Sequence, residues 1–337
     1  MARGGHRSRG GAGRARRRRP TYPRGVELPR ASATTVRRLS VASVVANTGI
    51  VLTGGVVRLT GSGLGCPTWP SCTDDSYTPT AAYAQHGLIE FTNRMLTFVV
   101  TLVAVATLVA VLRHGRRPLV RLGLAAFLGI PAQAVLGGVT VLTGLNPWTV
   151  GAHFLLSMVL IAVTVALAWR AYHPDDGPAR PVVNASLVTL VRVLVGTTAL
   201  VLALGTVVTG SGPHSGDAGV GRTGFDPQTV SQLHADVVML LVGLTVAALF
   251  WLRGAGAPAG TVRAATLLLA VELAQGAIGF AQYFAGLPVV LVALHLLGAG
   301  LVWIAALVLL LATTRRAPAP PREPSPAVAA RDAYVAG

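Results

Sequence analysis

Four side chains able to do chemistry stand close together in His86-Gly-Leu-Ile-Glu-Phe-Thr-Asn-Arg94, which opens a long apolar run. At helical spacing His86, Glu90 and Asn93 or Arg94 fall on one face, setting an imidazole, a carboxylate, an amide and a guanidinium in a row. Ionisable groups inside an apolar membrane helix are costly, so they face a bundle interior and are functional candidates by default. His153, His234 and His295 lie in other apolar runs. A lone intramembrane histidine reads as an interhelical hydrogen-bonding residue. Two imidazoles facing each other across four apolar helices can hold a haem, one on each axial face of the iron.

The elements that must position these groups are membrane helices. Half of the 337 residues are apolar, only 12% are charged, and the apolar residues come in long runs rather than stripes. That pattern marks an all-α polytopic membrane protein. A formal net charge of +16, all of its basic residues arginine, could suggest nucleic-acid binding. Position argues against it, because twelve arginines precede Leu39 and most others sit in short segments between apolar runs. This is the positive-inside pattern, a report of topology.

Eight spans are expected, near 39–59, 84–112, 118–142, 149–171, 187–209, 230–253, 262–284 and 288–313. Arg113, Arg116, Arg117 and Arg121, then Arg170 and Arg180, then Arg253 and Arg263, and finally Arg315 and Arg316 all fall on the side of both termini. That side is expected to be cytoplasmic, with the protein in the cell membrane. Residues 1–38 form an expected disordered Arg-rich tail, 172–186 a cytoplasmic linker, and 314–337 a second, Pro-rich disordered tail.

The two halves, 39–171 and 187–313, repeat each other. Gln133 to Gly137 and Gly144-Leu145 return as Gln275 to Gly279 and Gly286-Leu287, and the same shift of 142 carries His153 onto His295. Thr60-Gly-Ser-Gly63 returns as Thr209-Gly-Ser-Gly212, and a shift of 148 carries His86 onto His234. Two pseudo-symmetric four-helix bundles are the expected result, each holding a histidine in its second and fourth spans. The halves differ at Glu90, whose counterpart under the 148 shift is Val238. A carboxylate beside one haem site and absent from its twin points to chemistry at the first site and a resident haem at the second. An ion pair of Glu90 with Arg94, four residues on, is the structural alternative. Glu272 also lies mid-span, outside any histidine frame, balanced between function and a paired or protonated structural role. His6, His114 and His173 fall in tails or links and carry no such pattern.

Cys66 and Cys72 bracket Pro-Thr-Trp-Pro-Ser in the first outer loop. A disulfide there would staple the loop over the first site, although spacing alone does not separate a staple from a redox-active pair. Two thiols without matched histidines argue against zinc. The glycine-rich turns at 61–65 and 210–216 could admit a carboxylate-bearing ligand such as a haem propionate, with Arg58 or His214 nearby.

As a set, Gly-Gly-Val-Val-Arg-Leu-Thr-Gly-Ser-Gly at 54–63, the Cys66 to Cys72 loop, Ile-Glu-Phe at 89–91, Thr-Gly-Ser-Gly-Pro-His-Ser-Gly-Asp at 209–217 and Gln-Leu-His at 232–234 resemble the haem A synthase family over nearly all of 39–313. The resemblance implies oxidation of the C8 methyl of haem O to the formyl of haem A, for delivery to haem-copper terminal oxidases. It implies a haem b between His234 and His295, a substrate site in the first half with Glu90 as its carboxylate and His153 as an iron ligand, and a Cys66–Cys72 disulfide. Haem O synthase and terminal oxidase assembly factors are the partners it suggests, and a homo-oligomer is left open. The chain departs from the family at Asn93, where many members carry histidine, and an amide is a poor haem-iron ligand. His86 is therefore the expected axial ligand, with Asn93, Arg94 and Arg58 as accessory groups. Asn93 fits a second register, at a shift of 141 from His234, so both residues cannot serve one haem pose. The competing readings are a di-haem b-type cytochrome that only passes electrons, which leaves the asymmetry of Glu90 unexplained, and a transporter, which needs no haem.

Overall fold

The structure, a computed structural model, describes residues 30–80, 84–214 and 219–318. Eight helices follow in chain order: α1 (Ala33–Leu59), α2 (Ala84–His114), α3 (Arg117–Leu142), α4 (Pro147–Tyr172), α5 (Ala185–Ser211), α6 (Pro227–Gly254), α7 (Ala259–Phe284) and α8 (Val289–Ala312). The shortest has 24 residues and therefore spans about 36 Å, more than a bilayer's hydrocarbon core. All eight are long and apolar enough to cross a membrane.

Local sequence sets where several of them start. The side chains of Ser32, Asn146, Asn184 and Asp226 accept from the N–H groups of Thr35, Trp148, Leu187 and Thr229, satisfying orphan donors at the starts of α1, α4, α5 and α6. The Ser32 cap starts α1 before the expected boundary, so Arg37 and Arg38 are helical rather than part of a tail. Arg37 Nε donates to Ala171 O and its guanidinium lies over the Tyr172 ring, tying α1 to the end of α4. The expected tail beyond 314 also begins differently. Ala179–Pro181 (β1) and Thr314–Arg316 (β2) pair antiparallel, so the linker between the halves holds the segment after α8. The remainder of both expected tails, 1–29 and 319–337, lies outside the described residues.

The helices form two four-helix bundles. In the first, α2 and α4 each pack on α1 and α3, which places α2 diagonally opposite α4. In the second, α6 and α8 each pack on α5 and α7, and are diagonal in the same way. The bundles meet through α1 and α4 on one side and α5 and α8 on the other. Met158, Ile161, Val165 and Leu202 form the buried apolar centre of this seam, and Trp303 Nε1 of α8 donates to Met158 O of α4 at 2.9 Å.

The repeat is visible in the turns. Gly144-Leu145 has φ of 59° and 56°, and Gly286-Leu287 has 74° and 63°, the same left-handed pair at the same shift of 142. Leucine rarely adopts this conformation. Leu145 is held there by burial of its side chain against Gly63, where any Cβ would collide with it.

Candidate functional site

In the second bundle, His234 of α6 and His295 of α8 come from diagonal helices. Room for the rings is cut by glycine. A Cβ on Gly279 would stand 3.2 Å from His295 Cε1, and one on Gly205 would stand 3.5 Å from His234 Cε1. Gln275 Nε2 donates to His295 O at 2.6 Å, pinning α7 to α8 at this level. The first bundle repeats half of this arrangement. A Cβ on Gly137 would stand 3.1 Å from His153 Cε1, and Gln133 Nε2 donates to His153 O at 3.2 Å.

Opposite His153, across the first bundle, the four expected residues of α2 separate by depth. His86 lies in the first turn of α2 and is exposed, its Nδ1 within 2.9 Å of Ser62 Oγ beyond the end of α1. Asn93 lies two turns deeper, where Thr53 Oγ1 of α1 donates to its Oδ1 at 2.8 Å. Between them Glu90 is 5% exposed and fully engaged. Its Oε1 accepts from Arg94 Nη2 at 2.6 Å and Nε at 3.1 Å, and its Oε2 accepts from Cys66 N at 2.6 Å.

Arg94 carries the contact onward. It donates to Ser71 O, Cys66 O and Thr68 O, each at 3.0 Å, and so grips the backbone of the loop that Cys66 and Cys72 close as a disulfide. Trp69 of the loop lies on Gly138 of α3, against which any larger residue would clash. The expected staple is present, and it sits over the first bundle, clamped by the same carboxylate expected to do chemistry. The ion pair offered as the structural alternative is present too. Thr53, Trp69 and Gly138 were not singled out in the sequence; their contacts join segments far apart in the chain.

Three of the four histidines share one further property. His153, His234 and His295 each bury an Nδ1 with no hydrogen-bond partner, a cost of about 1–3 kcal/mol per group for a purely structural residue. Imidazoles held this way in glycine-cut apolar space fit a haem. Among the described residues no group of three or more His, Cys, Asp or Glu is placed to hold a bare metal ion. Arg58, in the last turn of α1, also buries Nε and Nη2 without a partner, groups that would fit an anion. His214 is engaged elsewhere, its Nε2 within 2.9 Å of Leu287 O. Glu272 is buried in α7, Oε1 accepting from Thr245 Oγ1 at 2.9 Å and Oε2 unpartnered, one turn from Gln275.

A duplicated, eight-helix, multi-pass membrane protein with diagonal histidines in apolar bundles is the class that this fold and site define. Residues 37–214, the first bundle from within α1 onward together with α5, match the COX15-CtaA family, described as cytochrome oxidase assembly protein, and the chain belongs to that family. Curated relatives include proteins named heme A synthase from Listeria welshimeri (31% identical over 139 residues), Lysinibacillus sphaericus (33% over 139) and Geobacillus kaustophilus (30% over 133). These alignments take in 40%, 40% and 39% of this chain and span 45%, 45% and 41% of the relatives' own lengths, less than half in each case.

Proposed function

We propose that this chain is a haem A synthase, oxidising the C8 methyl of haem O to the formyl group of haem A for terminal oxidases. The observation that carries the reading is unequal duplication: both bundles present imidazoles beside glycine-cut space, and the first adds a buried carboxylate, Glu90, on its second helix where the second bundle has Val238, the buried Glu272 of that bundle lying instead on α7 against Thr245. The names of the relatives support it.

His234 and His295 would hold haem b, which supplies one-electron transfer when bound. Haem O, as substrate, would enter the first bundle with His153 on one side and the α2 face of Glu90, Asn93 and Arg94 on the other, His86 lying in the first turn of α2 at the rim of that face. Arg58 would pair with a propionate carboxylate of the substrate, using the N–H groups it now buries unpaired. Glu90 would steady positive charge developing as the methyl group is oxidised, while Arg94 and the Cys66 N–H keep that carboxylate in place. The disulfide loop above would exclude water. The arginine distribution supports a plasma-membrane location with both termini on the cytoplasmic face.

The test is extraction of haems from a host that makes haem O but no haem A and expresses this chain. Haem A, or its alcohol intermediate, should appear by mass, and Glu90→Gln should keep haem b while halting at haem O or the alcohol. Unchanged haem O with the wild-type chain would overturn the reading. One observation favours a second reading, an electron-transferring di-haem cytochrome: Glu90 is bound as a clamp on the disulfide loop. That reading expects haem b and no haem A in the same extracts.

A further inference from the structure

The two bundles do not offer their haems the same second axial position. In the second bundle His234 stands against Gly205, six residues before the end of α5. In the first bundle the residue standing against the corresponding level of α1 is Asn93. Its Nδ2 lies 3.9 Å from where a Cβ on Gly54 would be, and Gly54 is five residues before the end of α1. In the register that carries Thr60–Gly63 onto Thr209–Gly212, Gly205 corresponds to Val56, so the two levels differ by two residues, about 3 Å of helix rise. His86 instead meets Ser62, beyond the end of α1, and the backbone of His86 packs on Gly65 of the outer loop. It lies seven residues nearer the outer end of α2 than Asn93, about 10 Å of rise.

Asn93 is also fixed in orientation. Thr53 Oγ1 donates to Oδ1, and Nδ2 lies beside Gly54 in the next position of α1. An amide at this level is a poor ligand for iron, and its NH2 group is a hydrogen-bond donor, a good partner for a small molecule bound to iron.

We propose that the first bundle holds its haem iron through His153 alone, with the Asn93 amide over the opposite face, so that this iron keeps a position open to a small exogenous ligand. The second bundle holds its iron through both His234 and His295 and keeps no such position. This rests on the haem-binding reading above and deepens it: one site is built to react and the other to stay closed.

The test uses the full chain in detergent, titrated with haem until both sites are filled, and reads spin state by electron paramagnetic resonance and carbon monoxide binding by the Soret shift after reduction. One high-spin and one low-spin haem are expected, with carbon monoxide shifting only the former. Asn93→His should convert the high-spin signal to low-spin and abolish the shift, while the second-bundle signal remains as a control for folding. His86→Ala should leave both signals in place. Two low-spin haems inert to carbon monoxide, uptake of a single haem, or loss of the first site's ligation in His86→Ala would overturn the inference while leaving haem binding intact. A chain that takes up no haem at all would instead overturn the haem-binding reading itself.

Discussion

Gly137 and Gly279 show how single residues define the sites. Each faces the Cε1 edge of a histidine at a distance tighter than ordinary contact, whereas Gly205 leaves ordinary van der Waals spacing to His234. Alanine at 205 should therefore be tolerated. Valine at 279 must displace the His295 ring, and overpacking of this kind costs about 1–3 kcal/mol. Gly279→Val should fold yet lose the low-spin haem signal of the second bundle, read by a reduced-minus-oxidised spectrum; an unchanged signal would mean that His295 is not held where described. Part of this was legible in the sequence, because Gln133, Gly137 and His153 recur together as Gln275, Gly279 and His295. The Glu90–Arg94 pair was legible as well, whereas the Thr53 partner of Asn93 and the Cys66 partner of Glu90 were not, since they reach them only through tertiary packing.

Among the elements, the short loop from Cys66 to Cys72 is held by two devices of different strength. Closing a ring this small by a disulfide is worth roughly 2 kcal/mol in the chain-entropy account. Arg94 binds three loop carbonyls and a nearly buried carboxylate, and breaking a buried pair by removing one partner costs about 3–5 kcal/mol. Arg94→Ala should accordingly lower thermal stability in detergent more than replacing both cysteines by serine, and the reverse order would show that the disulfide dominates. On the arginine-rich side, Asp176 accepts from Arg116 and Arg170, joining the start of α3, the end of α4 and the linker. The Arg116 hydrogen bond, foremost, holds the Asp176 carboxyl below its usual range. A depressed carboxyl pKa means stability that is present above the unfolded value and lost as pH falls through the folded one. Being partly exposed, the cluster is worth about 1 kcal/mol or less. Asp176→Asn should lower the melting temperature slightly at pH 7 and not at a pH below the folded value; an equal drop at both would remove the electrostatic account. The linker's pairing with the segment after α8 was not legible, because β1 and β2 are three residues each and carry no strand pattern of their own.

At the scale of the whole molecule, duplication explains most of what is seen. Eight apolar runs, arginine-flanked links and a shift of 142 were enough to anticipate two bundles, since in a membrane the helices and their order follow from hydropathy. Depth was harder. Two registers, 148 and 141, both related α2 to α6, and the sequence alone did not choose between them; in the packing of α2 on α1, Asn93 stands against Gly54 and His86 against Ser62. The seam has a different logic from the sites: α1, α4, α5 and α8 bury apolar surface between the halves, and the diagonal pairs of helices carry the histidines on either side. The central claim is that each half is a separate haem site.

The most direct measurement is a redox difference spectrum of the purified chain, its extracted haems identified by mass, beside His153→Ala and His295→Ala. Two haem populations are expected, with His153→Ala removing the first bundle's haem and His295→Ala the low-spin b-type haem of the second, each leaving the other in place. A colourless protein, or loss of both populations from either well-folded variant, would contradict it.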